Sequence, residues 1–402
     1  MELAFSAAEE AFRAEARAWL RANVPRDLPP SGSERGFAAH VVWEQQLHAA
    51  GWSVVAWPRA FGGRDASIVE WLIFEEEYYL AGAPPRVTQN GIFLLAPALF
   101  EYGTDEQRAR ILPPMAAAEV LWAQGWSEPG AGSDLAAISS TATRTDGGWL
   151  LRGQKTWSTR ASYCHAMHGL FRTDPSAPRH KGLTYFLVPL DGPGIRVNGF
   201  RRLDGDLDFA EIFFDDAFVS DRDVLGPVDQ GWKVAMATTG SERGLTLRSP
   251  GRFLAAAERL VDLYRRTVSF DSAAARPRSG RTGVADAYDR GHRDAVIRAW
   301  MDARAYQLLT LQTVTRLVAG QTLGAESSVS KLAWSELDLR LHQAALDLLG
   351  PMAELGPDAP SAVDGGAWQK GFQFALAGPI YAGTNEIQKN VVAERLLGLP
   401  KD

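Results

Sequence analysis

The chain reads as an α+β protein of several domains, on three observations about its apolar periodicity. Across 1–120 apolar residues recur at three and four, as in Phe12, Ala16 and Leu20 and again in Val41, Trp43 and Leu47, the spacing that lines one face of an amphipathic helix. Across 121–228 the segments 139–144, 149–151, 167–171, 183–190 and 210–214 read as short strands separated by Gly, Pro and Asp, which predicts an antiparallel β domain. From 229 to 402 long helical periodicity returns over 234–246, 252–270, 294–317, 328–349 and 367–376, which predicts a second helical domain. Between two of these helices, 271–291 carries four arginines among Ala, Gly, Ser and Pro. It reads as a loop, either a plain connector or a contact for a cofactor phosphate.

Composition bounds the functional class. The 402 residues, 46% hydrophobic and 22% charged, suffice for a large core and two or three domains. A formal net charge of −6 argues against nucleic acid as a partner, because phosphate contacts need a basic surface. Residues 1–24 mix Glu, Arg and apolar residues at helical spacing, unlike a signal or transit peptide. No apolar run approaches membrane-spanning length. The single cysteine, Cys164, excludes an internal disulfide, fits a reducing cytoplasm and has no activating pattern around it. No metal-ligand pattern is expected.

The most informative stretch is Trp126-Ser127-Glu128-Pro129-Gly130-Ala131-Gly132-Ser133-Asp134, followed about twenty residues on by Gly153-Gln154-Lys155-Thr156-Trp157-Ser158-Thr159. Pro129 and two glycines one residue apart make a turn that no Cβ obstructs, so backbone N–H groups can approach a planar ligand. Ser127, Ser133 and Thr159 flank it with hydroxyls, and Trp157 offers a flat apolar surface. A lone glycine-rich hexapeptide is more often a surface turn; the second motif at this spacing points to a flavin cradle.

These two segments resemble the T/S-E-P-G-A-G-S-D and G-x-K-x-W-[IS]-[TS] runs of the acyl-CoA dehydrogenase family. The resemblance extends nearly end to end, through Trp57-Pro58, Phe61-Gly62-Gly63 and Glu75-Glu76-Glu77 to Tyr381-Ala382-Gly383-Thr384-Asn385-Glu386-Ile387-Gln388. It implies an N-terminal helical domain (1–120), a middle antiparallel β-barrel-like domain (121–228) and a C-terminal four-helix-bundle domain (229–402). It further implies FAD as cofactor, an acyl-CoA or acyl-carrier thioester as substrate and α,β-desaturation to the trans-2-enoyl product. The expected oxidant is an electron-transfer flavoprotein, and the expected assembly a homodimer, homotetramer or heterotetramer.

Desaturation needs a base for the α-proton as well as a hydride acceptor, and burial beside an acyl chain raises a carboxylate toward the working range. Many family members place that Glu just before Gly-Thr in the C-terminal motif, where this chain has Ala382. The isovaleryl and long-chain branches have a small residue there and carry the base on an earlier helix, in a pattern ending Glu-Arg. Ser241-Glu242-Arg243-Gly244 stands at that place, so the resemblance assigns the base to Glu242, with Arg243 bracing its helix or reaching substrate. Glu386, the competing carboxylate, sits where a helix starts and a negative charge is favoured.

The remaining roles follow from the same resemblance. The Ala382 backbone N–H would bind the thioester oxygen, an oxyanion-hole contact worth a few kcal/mol. Gln124, Trp126 and Ser127 would line the flavin ring, with Ser127 and Thr159 near its reactive edge and Trp157 on one face. Gly132 and Ser133 would meet the flavin phosphate side, Ser133 alternatively the CoA arm, and Gly383, Thr384 and Glu386 would lie against FAD at a helix start. Two departures fall in the family's cross-subunit half of the FAD pocket: no Phe-Gly pair stands near 271–291, and Asp347-Leu348-Leu349-Gly350-Pro351-Met352 replaces Q-[IL]-x-G-G-x-G. They keep open a non-catalytic or half-site partner subunit of a heteromeric dehydrogenase; a flavin-dependent monooxygenase on the same scaffold is the third reading. A substrate with a bulky, branched or long acyl group is expected by analogy with the two branches that move the base.

Overall fold

The computed structural model describes the backbone of residues 4–274, 283–321 and 323–401, and their side chains outside 238–249, 268–274 and 283–289. The chain divides into two compact units, one of Met1–Val24, Ile68–Ala83 and Thr246–Asp402, the other of Pro25–Ser67 and Pro84–Leu245.

The second unit is built on a sheet. Helices α1 (Ala7–Asn23), α2 (Glu34–Ala49), α3 (Ile68–Leu80), α4 (Ala96–Tyr102) and α5 (Asp105–Ala116) come first in the chain, and α2, α4 and α5 belong here. The strands follow: β1 (Trp122–Gly125), β2 (Thr141–Thr145), β3 (Gly148–Thr159), β4 (Ala166–Arg172), β5 (Leu183–Pro189), β6 (Ile195–Arg201), β7 (Leu207–Ser220) and β8 (Val224–Leu225). They order as β6-β7-β3-β2-β4-β5-β8, with β1 on β4. Pairing is antiparallel for β2–β3, β3–β7, β4–β5, β5–β8 and β6–β7, and parallel where β4 meets β1 and β2.

Both faces of the central strands are covered. Ala166, Leu170, Tyr185 and Leu187 pack with Ile92, Leu95, Leu99 and Met115 from the helices, whereas Met167, Phe171, Phe186 and Val188 pack with Trp149, Ile212 and Phe214. A strand buried on both sides reads as a continuous apolar run, which is why 167–171 and 183–190 are visible in sequence. β6 is an edge strand with exposed alternating positions, so no apolar run marks it.

The first unit is helical. Arg13 of α1 reaches Glu76 and Glu77 of α3, both at 3.0 Å, and Arg17 joins Glu77 at 2.7 Å. Four helices, α6 (Gly231–Ala274), α7 (Gly283–Val318), α8 (Glu326–Leu349) and α9 (Ala367–Ala375), share one core around Phe253, Leu260, Ala303, Leu341 and Trp368; α10 (Asn385–Val391) follows.

The loop expected at 271–291 is corrected: α6 runs through Ala274 and α7 starts at Gly283, while 275–282 lie outside the described residues. Alanine and arginine are strong helix formers despite their polar company. The two helices read at 234–246 and 252–270 are one, with Pro250 inside it. Gly251 lets this helix approach the α3 backbone, since a Cβ there would lie 2.8 Å from the Glu75 carbonyl oxygen.

Candidate active site

The structure joins the two motifs at one place in the sheet unit. Thr156 N donates to Ser127 O at 2.9 Å, and Lys155 Nζ donates to Glu128 Oε1 at 2.7 Å, both side chains buried. Glu128 closes its own turn as well. Its Oε2 accepts from Ser139 N at 2.6 Å and Ser139 Oγ at 2.9 Å, and Oε1 accepts from Ser140 N at 3.0 Å. Burial alone would raise this carboxyl, but the Lys155 ammonium and the two serines outweigh it and hold it below the usual carboxylate range. Burial pulls Lys155 down to about 8, so the pair is ionised at neutral pH. Glu128 is therefore a structural anion and not a base.

Strand β3 then bulges. Its register against β7 shifts between Lys155 and Ser158, and Trp157 takes a φ of +58°, unusual for a bulky residue and a mark of local constraint. The indole stands 60% exposed, with its ring braced edge-on by Phe200 at 5.3 Å and Phe209 at 5.5 Å. A Cβ added at Gly130 or Gly132 would meet nothing within 4 Å, so the turn presents open backbone. Gln124 Nε2 is buried and has no hydrogen-bond partner. A propped aromatic face, bare peptide groups and a spare amide donor suit a flat conjugated cofactor with heteroatoms along its rim, so these residues fit FAD.

Ser127 is half-buried beside this cradle and Ser133 is exposed on the turn. Trp126, nearly buried, donates through Nε1 to Tyr185 Oη at 3.2 Å. Thr159, the last residue of β3, accepts at its carbonyl from Asn90 Nδ2 at 3.2 Å. Sequence reasoning missed Asn90, His168 and Tyr185, which touch this group from distant segments. Lys155 stood inside the motif, and its burial was the unread signal.

The C-terminal motif lies in the helical unit. Ala382 and Gly383 both adopt left-handed backbone, φ +57° and +79°. Thr384 caps α10, its side chain accepting from Ile387 N at 3.2 Å. Asn385 anchors the turn: buried, it accepts from Lys331 Nζ at 2.7 Å and Ser335 Oγ at 3.1 Å. Glu386 is exposed in the first turn of α10, and its own backbone N–H holds its carboxyl below the usual range, with help from Thr384 and the nearby lysines. An exposed, stabilised anion is a poor proton acceptor. Glu242 and Arg243 fall within α6, but their side chains lie outside the described residues. The altered 347–352 segment ends α8 at Leu349, and Gly350, φ +53°, leads into a short 3₁₀ turn.

Cys164 is partly buried, and burial pushes its thiol up to about 12, which removes it as a nucleophile at neutral pH. Among the described residues no group of three His, Cys, Asp or Glu is placed to hold a metal ion. No described helix is long and apolar enough to cross a membrane.

The sheet unit, with its propped aromatic face and bare peptide groups, and the helical unit, with its capped turn, each fit a flavin-dependent oxidoreductase. Residues 6–119, 123–217 and 229–397 match the N-terminal, middle and C-terminal domains of acyl-CoA dehydrogenase. Acyl-CoA dehydrogenase IpdE1 of Mycobacterium tuberculosis is 37% identical over 401 residues, 98% of each chain. Acyl-CoA dehydrogenase FadE34 of the same organism is 36% identical over 86% of this chain and 44% of its own. Among solved structures, the Tcur3481-Tcur3483 steroid ACAD is 25% identical with a TM-score of 0.83, covering 100% of both chains. The ChsE4-ChsE5 complex from Mycobacterium tuberculosis is 25% identical with a TM-score of 0.81, also covering 100% of both. The chain belongs to the acyl-CoA dehydrogenase family: it is an oxidoreductase acting on a CH–CH bond, with FAD as cofactor.

Proposed function

We propose that this acyl-CoA dehydrogenase desaturates a bulky acyl thioester, polycyclic or branched, with Glu242 as the base. The observation that carries the reading is in the C-terminal turn: Ala382 supplies a peptide N–H but no carboxyl, and Glu386 is held as an exposed anion. The proton acceptor must then come from elsewhere, and Glu242 on α6 is the residue the family pattern offers. The similar Tcur3481-Tcur3483 structure is titled a steroid ACAD, which supports a large acyl group.

In this scheme the Ala382 N–H binds the thioester oxygen and stabilises the negative charge that develops as Glu242 removes the α-proton. When bound, FAD supplies the acceptor for the β-hydride. Gln124, Trp126 and Ser127 line its ring, Trp157 covers a face, and Thr159 sits near its edge. Gly132, Ser133, Gly383, Thr384 and Glu386 serve its phosphate side, and Arg243 braces α6. Division at 120 and 228, an electron-transfer flavoprotein as oxidant, a cytoplasmic location and a homo-oligomer complete the proposal. Anaerobic bleaching of the flavin by a panel of acyl-CoAs, from short linear to steroid side-chain thioesters, tests the substrate. Glu242→Gln should slow bleaching by at least about a hundredfold while FAD stays bound; an unchanged rate removes Glu242 from the mechanism.

A second reading is favoured by the altered 347–352 segment and the missing Phe-Gly pair. The chain would then be one half of a heteromeric enzyme, completing its FAD site with a different subunit. One flavin per chain in a homo-oligomer would exclude it, and flavin-free protein that gains FAD only on co-expression would establish it.

A further inference from the structure

Behind the motif-bearing strands runs a buried polar chain for which the reaction itself has no use. β1 and β4 pair in parallel with Gln124 opposite His168, so the two side chains project from one face of the sheet. His168 and Tyr185 are wholly buried. Tyr185 Oη lies 2.6 Å from His168 Nδ1, and the two rings stack with centroids 5.8 Å apart. On its other side the same oxygen accepts the Trp126 indole N–H at 3.2 Å. Burial pushes the His168 imidazole down to about 3, so the ring is neutral. The Tyr185 hydroxyl and His168 Nδ1 share one hydrogen bond, whose direction follows the histidine tautomer. His168 Nε2 is buried with no hydrogen-bond partner, while the Asn90 backbone acts on the same ring, raising its value against the burial. Asn90 in turn donates from Nδ2 to the carbonyl of Thr159 at 3.2 Å, and it opens a π-helical segment, Asn90–Leu95, a form enriched where function constrains a helix.

The chain of contacts therefore starts at Trp126 in the first motif and ends at Thr159 in the second. We propose that Asn90, His168 and Tyr185 are positioning residues that hold Trp126 and Thr159 in fixed register against the flavin, and so tune how tightly FAD is held and how readily it is reduced. The proposal rests on the flavin-site reading given above. Its physical basis is that a buried hydrogen-bonded network, once satisfied, fixes one arrangement of its members. An indole whose N–H has a buried acceptor cannot swing without leaving that acceptor unpaired.

The test uses the FAD-loaded protein. FAD dissociation constants and reduction potentials are measured for the wild type, Tyr185→Phe, Trp126→Phe and the double variant. Tyr185→Phe removes one oxygen and keeps the ring, so it should weaken FAD binding about fivefold, the loss of one hydrogen bond, and shift the potential. Because Tyr185 acts through the indole N–H, Trp126→Phe should move both quantities too, and the double variant should be no worse than the larger single one. Asn90→Asp, with the fold checked by circular dichroism, sets a carboxylate against the Thr159 carbonyl and should also loosen FAD. If Tyr185→Phe leaves both quantities unmoved, or if its effect multiplies with that of Trp126→Phe, this inference falls while the flavin site stands. Wild-type protein that takes up no FAD, alone or with a partner subunit, would overturn the site reading and this inference with it.

Discussion

The cradle at 127–159 and the turn at 381–388 both present backbone groups, yet they are fixed by different means. In the cradle, Lys155 and Glu128 are buried and bonded to each other, and Glu128 also takes two serine N–H groups. In the turn, Ala382 and Gly383 are exposed, and the Ala382 carbonyl accepts from Gln388 Nε2 at 3.1 Å, an exposed contact. Asn385 ties the turn inward through Lys331 and Ser335, and the Tyr381 ring packs on Trp334 at 5.6 Å. A cradle built on a buried ion pair makes its shape inseparable from the stability of the whole sheet unit. A surface turn held by strain and a cap can be altered locally, which suits a position where the resemblance expects a carboxylate and this chain has the Ala382 methyl group.

The largest test of this contrast is Lys155→Met. It strands the Glu128 charge in the interior and should cost about 3–5 kcal/mol, read by denaturant unfolding of the apoprotein; a loss under about 1 kcal/mol would show that the pair does not brace the fold. Gly383→Ala should cost less, about 1–2 kcal/mol, because a Cβ is disfavoured in left-handed backbone. Its added carbon would also lie 2.5 Å from the Gln388 amide nitrogen. Turnover should fall further than stability does, and a variant equal to wild type in both would deny the turn any role in catalysis. The smallest effect is on the slope of stability with pH. The Glu128 carboxyl is held below its ordinary value, so its contribution is present above about pH 4.3 and is lost as pH falls through the folded-state value. Melting temperatures from pH 6 to 3.5 should therefore fall less steeply in Glu128→Gln than in wild type. Glu386 is also held low, but at an exposed site where solvent screens the interaction, so Glu386→Gln should leave the slope unchanged.

Legibility in the sequence followed burial and locality. Helical, sheet and helical regions were readable because their apolar periodicities differ, and strands such as β4 and β5 because both faces are covered. Edge strand β6 was hidden by its exposed residues, and β3 was cut short because its second half is polar and bulged. The gap between the expected helices 234–246 and 252–270 holds Pro250 and Gly251, yet the structure keeps one helix across it, packed closely on α3. At the site, the motif residues and the helix start at 384–386 are local patterns and were visible, whereas the Thr384 cap itself was not read. Asn90, His168 and Tyr185 were not, because each belongs to a different segment and gains meaning only from the others. Nothing in an isolated histidine flanked by apolar residues distinguishes a neutral link from an ordinary core side chain.

The π-helical segment at Asn90–Leu95 has a consequence for the numbering of the helix that carries it. A π-turn holds one residue more than the α-helix around it requires, so a single deletion between 91 and 95 would convert it to regular α-helix without opening the core on its C-terminal side. Everything before the deletion would rotate by about 100°, carrying the Asn90 amide away from Thr159. Chain length at this one turn thus works as a phase adjustment between the helix and the strand beneath it.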